Sequence, residues 1–319
     1  MKSKKIVFII IAIAIVVGLC TAVIIGGNRN KSNAKYKIVV SNFASYDFLR
    51  AIIGDNKDVE LTFLMGPGKD SHSYDPTAQD LIKIQDSDLF VYVGGEMEKW
   101  SDKVLDSLEK DKTEVICIAD FVNTIEEQEV DGAEAEEEEE EEEGAFDEHI
   151  WTSPENAIKM VNALEEAMER IDNENAEIYK ENAERYIAKI KEVDSKIQEV
   201  VDNRVRDRLV FADKMPMQYF IDYYDLKVSA AFSGCSTETE PSAKTIAYLQ
   251  DKVKEENIPV ILYIELNPGT VARTIAEETG AKAMQIQTLH NVSLDDFNKG
   301  ETWVSLMTRN INVLKKALQ

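Results

Sequence analysis

Three histidines are the residues best suited to chemistry in this chain, and they are its only histidines. His72 follows a Gly-Pro-Gly turn, His149 precedes a predicted helix start, and His290 follows a strand-like run. Each lies at a strand exit or a helix entry rather than inside a periodic core segment, where a histidine usually has a packing role. Imidazole is a common zinc ligand, and three imidazoles suit a tetrahedral site completed by a carboxylate. The three histidines therefore predict a transition-metal site.

Strand-like apolar runs alternate with helical patterns on both sides of one long helical segment. The runs before that segment are Tyr36–Val40, Val59–Leu64, Leu89–Val93 and Val115–Ile118, and those after it are Leu209–Ala212, Lys227–Ala230, Val260–Ile264 and Ala281–Gln285. Such alternation is typical of βαβ units and parallel sheets. Because open α/β sheets bind ligands beyond the carboxyl ends of their strands, we expect the histidines to meet in a cleft between two lobes.

The long helical segment is expected to connect the two lobes rigidly. Its main part, Asn175–Val201, has 27 residues and would span about 40 Å as a helix. The predicted fold class is therefore α/β, with two lobes, each a mostly parallel sheet flanked by helices, joined by one long rigid helix. The predicted boundaries are 36–150 for the first lobe, 151–207 for the helical connector and 208–319 for the second lobe.

The amino terminus resembles a membrane-targeting segment. Lysines precede Ile6–Gly27, a run of 22 residues without a charge, which is long enough to span a bilayer core. One interpretation is an uncleaved anchor over residues 1–27, followed by a polar linker over 28–35. The other is a lipoprotein signal with lipidation at Cys20, although Leu19 stands where that motif has a small residue. Both interpretations place the rest of the chain outside the cytoplasm, tethered to the outer face of the cell membrane.

The net charge of −24 is concentrated in one segment. Glu126–Glu148 contains 15 acidic residues and no basic ones, so the rest of the chain carries only −9. No basic stripe is present, which argues against nucleic acid as a partner. The low-complexity part, Glu126–Gly144, includes eight consecutive glutamates and is predicted to be disordered or transiently helical. It is interpreted either as a solvated loop or as an electrostatic funnel that concentrates divalent cations near His149.

The cysteines do not indicate a thiolate metal site. The chain has three, Cys20, Cys117 and Cys235, and no CxxC pair. Cys117 lies in an apolar run and is expected to be a small buried hydrophobe. A disulfide between Cys117 and Cys235 is the alternative interpretation.

Four segments resemble, in order, those of the solute-binding proteins of transition-metal ABC importers. They are Gly66–Pro76, Asp147–Trp151, Tyr219–Leu226 and Thr288–Asn291, and the similarity covers roughly Tyr36–Leu318. The resemblance implies two α/β lobes around a long helix, a monomer, and an acidic insertion before the second ligand. It also implies capture of zinc or manganese outside the cell and delivery to a membrane permease, without enzymatic chemistry.

The resemblance also implies a ligand set, with one departure. Counting back from Tyr219, the third ligand position falls on Lys214, and an ammonium is a poor ligand in a neutral site. The adjacent Asp213 is the first-ranked substitute and Glu240 the second, while a water molecule is a further possibility. Glu238 and Glu265 are other carboxylates in strand-exit loops. The predicted metal ligands are therefore His72, His149, Asp213 and His290, with Glu240 as the alternative fourth.

Metal identity and function retain alternatives. Three imidazoles favour zinc, whereas a second carboxylate would favour manganese. An exported zinc-dependent hydrolase is one alternative function, but the chain has neither a His-Glu-x-x-His nor a Gly-x-Ser-x-Gly motif. A surface adhesin or structural lipoprotein is the other, and it would leave the loop histidines without a role.

Overall fold

The protein contains two sheets of four parallel strands each, in the orders β2-β1-β3-β4 and β6-β5-β7-β8. The computed structural model describes residues 34–69, 73–109, 112–134, 146–234, 236 and 240–319. The strands of the first sheet are β1 Tyr36–Val40, β2 Val59–Phe63, β3 Leu89–Tyr92 and β4 Glu114–Cys117. Those of the second are β5 Arg208–Lys214, β6 Lys227–Phe232, β7 Val260–Tyr263 and β8 Lys282–Gln285.

Helices follow most of these strands and cover the sheets. The helices of the first lobe and the connector are α1 Phe43–Ile53, α2 Ala78–Gln85, α3 Trp100–Leu105, α4 Pro154–Ile171 and α5 Ala176–Asp202. Those of the second lobe are α6 Gln218–Tyr223, α7 Ala243–Glu255, α8 Thr270–Thr279, α9 Leu294–Asn298 and α10 Trp303–Leu318. Short 3₁₀ turns occupy Glu96–Glu98, Ile118–Phe121, Ile150–Thr152 and Asn173–Asn175.

Side-chain caps define several of the helix starts. Ser153 caps α4 by accepting a hydrogen bond from the Asn156 amide, and Pro154 occupies the first turn. Thr302 caps α10 with Ser305 in a reciprocal arrangement. Both caps matter for the site described below, because α4 begins just after His149 and α10 begins with Trp303, whose indole contacts the His149 segment.

One continuous core joins the lobes to the connector. The largest cluster of buried apolar side chains includes Ile38 in β1, Ile190 in α5, Leu262 in β7 and Leu314 in α10. Tyr36–Gln319 accordingly forms one compact unit. The predicted fold class, two α/β lobes with a long helix between them, is confirmed, and α5 lies within one residue of the predicted bounds at each end. Because α5 packs against both α1 and α10, it is built into the core rather than acting as a free linker.

The prediction of disorder over Glu126–Gly144 is wrong for its first nine residues, Glu126–Glu134. Glu126 forms an antiparallel bridge with Phe146, and Asp131 forms a parallel bridge with Ser229 in the edge strand β6. Val130 is buried in the core. This segment therefore crosses from the first lobe and extends the second sheet at its edge. The composition of the glutamate run obscured the apolar Val130 and the hydrogen-bonding Asp131 that precede it.

Several predictions lie outside the described residues. They concern the anchor or lipoprotein signal at Met1–Gly27, the glutamates 136–143, His72 and Cys235. None of the helices in the described part of the chain is long and apolar enough to cross a membrane. Cys117 is a free, half-buried thiol whose Sγ lies 3.2 Å from the Val93 carbonyl oxygen, so its predicted apolar setting is only partly met.

Candidate metal centre

His149 is a fully buried side chain held in one orientation by Asp147. Its backbone amide donates to Asp147 Oδ1 over 2.8 Å, and its ring Nδ1 lies 3.1 Å from the same oxygen. A proton on Nδ1 satisfies that carboxylate and leaves the Nε2 lone pair available to a metal. Burial is the largest single influence and lowers the pKa of His149, but the charge and hydrogen bond of Asp147 together with the charges of Glu148 and Glu127 outweigh it, so the pKa lies above its usual value.

His290 faces His149 directly. The Nδ1 atom of His290 lies 3.1 Å from the Nε2 atom of His149, and the two ring planes differ by 32°. Two nitrogens bound to one tetrahedral zinc, each about 2.0–2.1 Å away, would lie roughly 3.3 Å apart. The observed separation is therefore one that a single metal ion can span after a small adjustment.

The loop that leads to His72 is fastened beside His290. Asn291 Nδ2 donates to the carbonyl oxygens of Gly66, at 3.1 Å, and Lys69, at 2.6 Å. The Gly68 amide donates to the Val292 carbonyl over 2.8 Å. His72 itself is outside the described residues, three positions after Lys69. The first lobe thus brings the approach to its predicted ligand loop against the second lobe at the residue next to His290.

Asp213 lies at the end of β5, where its carboxylate binds backbone amides. Oδ1 accepts from the Lys214 amide at 2.9 Å, and Oδ2 accepts from the Ile264 amide at 3.1 Å. Burial raises the pKa of Asp213, although these donors oppose the effect. In the second sheet, β6 lies on one side of β5 and β7 on the other, so the strand order reverses at β5. Asp213 therefore lies at the switch point of this sheet, where α/β proteins place ligand sites.

The structure brings together two of the four predicted ligands, His149 and His290. In the described ranges, no three His, Cys, Asp or Glu side chains are grouped closely enough to hold a metal ion. Lys214 is buried beside Asp213, and Glu240 is exposed at the start of the region before α7. Asp213 and Glu240 as fourth ligands therefore stay predictions.

Glu265 has a supporting position rather than one aimed at a metal. Its Oε2 accepts from the Thr288 amide and its Oε1 from the Thr288 hydroxyl, both at 2.8 Å. Burial raises the pKa of Glu265, and these two donors partly offset that effect. The carboxylate thus fixes the backbone two residues before His290.

The loop after β6 also reaches the site. A Cβ atom added at Gly234 would lie 3.5 Å from Cε1 of His149 and 3.1 Å from the Met215 carbonyl oxygen. The next residue, Cys235, and the acidic Glu238 are outside the described residues. The tight contacts of such a Cβ would be with the backbone of Met215 and Pro216, whereas the imidazole of His149 would lie at ordinary van der Waals distance.

The contacts that orient the histidines are absent from the sequence-based predictions. Asp147 stands two positions before His149, and an Asp-x-His spacing is a signal that a carboxylate can fix an imidazole. The contacts of Glu265 with Thr288 had no such signal, because 23 residues separate the two. Trp151 had no such signal either, because its indole nitrogen donates to the Thr288 carbonyl oxygen 137 residues away.

The class of protein follows from the fold and the site together: a two-lobed solute-binding protein that binds metal. Each lobe has a parallel sheet, a long helix lies between the lobes, and two imidazoles face each other. The chain belongs to the family described as zinc-uptake complex component A, periplasmic (ZnuA), whose model matches residues 38–317.

Relatives over the whole chain agree with this family. The chain is 30% identical over 311 residues to the high-affinity zinc uptake system protein ZnuA of Bacillus subtilis, covering 98% of this chain and 96% of that protein. It is also 30% identical over 299 residues to the zinc-binding lipoprotein AdcA of Streptococcus pneumoniae, where it covers 93% of this chain but only 59% of the relative. The chain thus spans about three fifths of the longer protein.

A solved structure gives the same result. The Zn(II)-bound ZnuA-like domain of Streptococcus pneumoniae AdcA superposes with a TM-score of 0.74 at 30% identity, covering 89% of this chain and 99% of that domain. The part of AdcA that resembles this chain is therefore its ZnuA-like domain.

Proposed function

We propose that this chain is the extracytoplasmic component of an ABC importer that captures one zinc ion and delivers it to a membrane permease. The observation that carries the proposal is the pair of buried imidazoles, one from each lobe, whose nitrogens lie 3.1 Å apart. A metal held by both would link the lobes. It would favour a closed arrangement that a permease can distinguish from the metal-free one.

The proposed ligands are His72, His149 and His290, with Asp213 as the fourth and Glu240 as its alternative. His149 Nε2 is directed to the metal by Asp147, and the backbone of His290 is held by the Thr288 hydroxyl, which accepts from the His290 amide. Three neutral imidazoles with one carboxylate favour zinc, and manganese is the alternative cargo. The descriptions of AdcA as zinc-binding and of Bacillus subtilis ZnuA as a zinc uptake protein, and the Zn(II)-bound AdcA domain, support the same choice.

The proposed location is the outer face of the cell membrane, with residues 1–27 or a lipid on Cys20 as the tether. The description of AdcA as a lipoprotein supports attachment by a lipid. Mass spectrometry of the chain extracted from membranes separates the two: retention of Met1–Gly27 shows an anchor, and cleavage before Cys20 shows a lipoprotein. Recovery as a free secreted protein would exclude both.

Metal analysis and calorimetry of the purified full-length chain test the proposed function. We expect one zinc per chain, binding much tighter than manganese, and no hydrolytic turnover of ester or peptide substrates. His290→Ala should abolish tight binding. The proposal fails if the metal-free chain takes up no zinc at a 1:1 ratio, or if zinc binding is indifferent to His290.

A further inference from the structure

Two tryptophans that lie far apart in the sequence are joined in the interior by an indole hydrogen bond, and a second indole bond continues to Thr288. Trp303 Nε1 donates to the Trp151 carbonyl oxygen at 2.9 Å, and Trp151 Nε1 donates to the Thr288 carbonyl oxygen at 3.0 Å. All three residues are fully buried. A buried indole N–H that lost its acceptor would be left unsatisfied, which is unfavourable, so these bonds constrain the backbones that they join.

The bond between Trp151 and Thr288 spans the two segments that carry the facing imidazoles. Trp151 stands two residues after His149, and Thr288 stands two residues before His290. The Trp151 ring also contacts the His149 ring edge to face, with centroids 5.5 Å apart. One hydrogen bond therefore fixes the distance between the two segments on the interior side of the imidazole pair.

Both ends of this bond are rigid. Thr288 is held by Glu265 through its amide and its hydroxyl, and its hydroxyl oxygen accepts from the His290 amide at 3.3 Å. Trp151 is held in turn by Trp303, whose own amide donates to the buried Asp47 carboxylate at 2.7 Å. The backbone that carries either imidazole cannot be displaced without disturbing this chain of bonds.

The turn just before His290 has a strained backbone conformation, which the hydrogen bonds on Thr288 can maintain. Leu289 has a φ of 58°, in the left-handed region, and is buried. A leucine in that conformation is strained, because its Cβ approaches the backbone. The bonds on Thr288 keep this turn in place, and the turn directs His290 toward His149.

We propose that the indole N–H of Trp151 is a positioning donor that sets the separation of the His149 and His290 imidazoles by holding the Thr288 carbonyl. The proposal rests on the proposed function, because the benefit of a fixed separation is a preformed pair of metal ligands. Residues that orient metal ligands without touching the metal commonly change affinity by about 10–100-fold.

Trp151→Phe tests the proposal, because it removes the N–H and keeps most of the aromatic volume. Tyr179→Phe is the matched control: the Tyr179 hydroxyl donates to buried Asp172 at the start of the connector, in contact with neither histidine. In the full-length chain, Trp151→Phe should weaken zinc binding by about tenfold or more. Both variants should lower the melting temperature of the metal-free chain by similar amounts. Zinc affinity should stay unchanged in Tyr179→Phe.

A double-mutant cycle with His290→Ala separates positioning from a general loss of structure. If Trp151 acts through the imidazole pair, Trp151→Phe should change zinc affinity less than threefold in the His290→Ala background. An equal loss in both backgrounds, or no loss in the otherwise native chain, would overturn the positioning role. If the native chain itself bound no zinc, the proposed function would be overturned together with the positioning role.

A second readout needs no metal. The chain has three histidines, so long-range ¹H–¹⁵N spectra of its imidazoles are readily assigned. Trp151→Phe should shift the ring-nitrogen resonances of His149 and His290 and leave those of His72 in place, whereas Tyr179→Phe should move none of them. Unchanged His149 and His290 resonances in Trp151→Phe would contradict the proposal whatever the zinc data show.

Discussion

His149 Nε2 and His290 Nδ1 face each other at 3.1 Å across the two lobes. Because Asp147 accepts a hydrogen bond from Nδ1–H of His149, the Nε2 lone pair of His149 can accept one from Nδ1–H of His290. A metal that enters between the rings must displace that proton. Zinc binding is therefore expected to replace one hydrogen bond between the lobes with two much stronger bonds, one from each imidazole to the metal.

The first prediction concerns this pair. His149→Gln and His290→Ala should each weaken zinc binding by at least about 100-fold, because either change leaves fewer than three imidazoles on the metal. The double variant should lose little more than the worse single variant, since the two rings act on one ion. Isothermal titration with a competing chelator measures the affinities. Fully additive losses would show that the two histidines serve separate sites.

The second prediction concerns the fourth ligand. Asp213→Ala should weaken zinc binding about tenfold or more and should also destabilise the metal-free chain, because the carboxylate accepts from the Lys214 and Ile264 amides. Glu240→Ala should change neither property, because Glu240 is exposed. Affinity and thermal melting of the metal-free form are measured separately for each variant. Intact affinity in Asp213→Ala with a large loss in Glu240→Ala would assign the position to Glu240.

Local sequence signals predicted the frame of the protein well. The apolar run Tyr36–Val40 is a strand with those bounds, and the helix Thr270–Thr279 is followed by Gly280 in the left-handed conformation. These elements are determined by hydrophobic patterning and by capping residues a few positions away.

The support of the site could not be predicted in the same way. Trp151 is hydrogen-bonded to Thr288, 137 residues away, and Asp131 is hydrogen-bonded to Arg208, 77 residues away. Such contacts depend on how the lobes pack, which no local pattern encodes. The strongest local signal near Asp131, the run of glutamates, indicated disorder and outweighed the weaker signal of a single apolar residue before it.

The third prediction concerns the segment Val130–Glu134 on the edge of the second sheet. The Asp131 carboxylate accepts from Arg208 Nη1 and Ser229 Oγ, each at 3.0 Å, and from the Tyr248 hydroxyl. A side chain at Gly132 would collide with the Tyr248 ring. Asp131→Ala should lower the free energy of unfolding by about 1 kcal/mol, a modest loss because the carboxylate is partly exposed and screened.

Two deletions extend this prediction. Removal of Glu136–Glu143 should leave the melting temperature nearly unchanged, whereas removal of Glu126–Gly144 should lower it clearly, because only the longer deletion uncovers the edge strand β6. Differential scanning calorimetry of the metal-free chain compares them. Equal melting temperatures for the two deletions would show that the docked segment contributes nothing to stability.

The last prediction concerns pH and the buried carboxyl of Glu98. Its Oε2 accepts from the amides of Val93 at 2.6 Å and Gly94 at 3.1 Å, yet burial raises its pKa to about 7. In the unfolded chain the same carboxyl releases its proton near its ordinary pKa of 4.5. Between these values the folded state holds a proton that the unfolded state has lost. The stabilisation is therefore complete below about pH 4.5 and disappears as the pH rises through about 7.

Glu98→Gln isolates this contribution, because the amide oxygen can still accept from Val93 and Gly94 but cannot ionise. Urea unfolding of the metal-free chain at a series of pH values should show a wild-type free energy that falls, relative to Glu98→Gln, by up to about 1.4 kcal/mol per pH unit between the two pKa values. The difference should level off above the folded pKa, where the wild type carries a buried charge. Parallel curves for the two proteins across this range would mean that Glu98 titrates at its ordinary pKa in the folded chain.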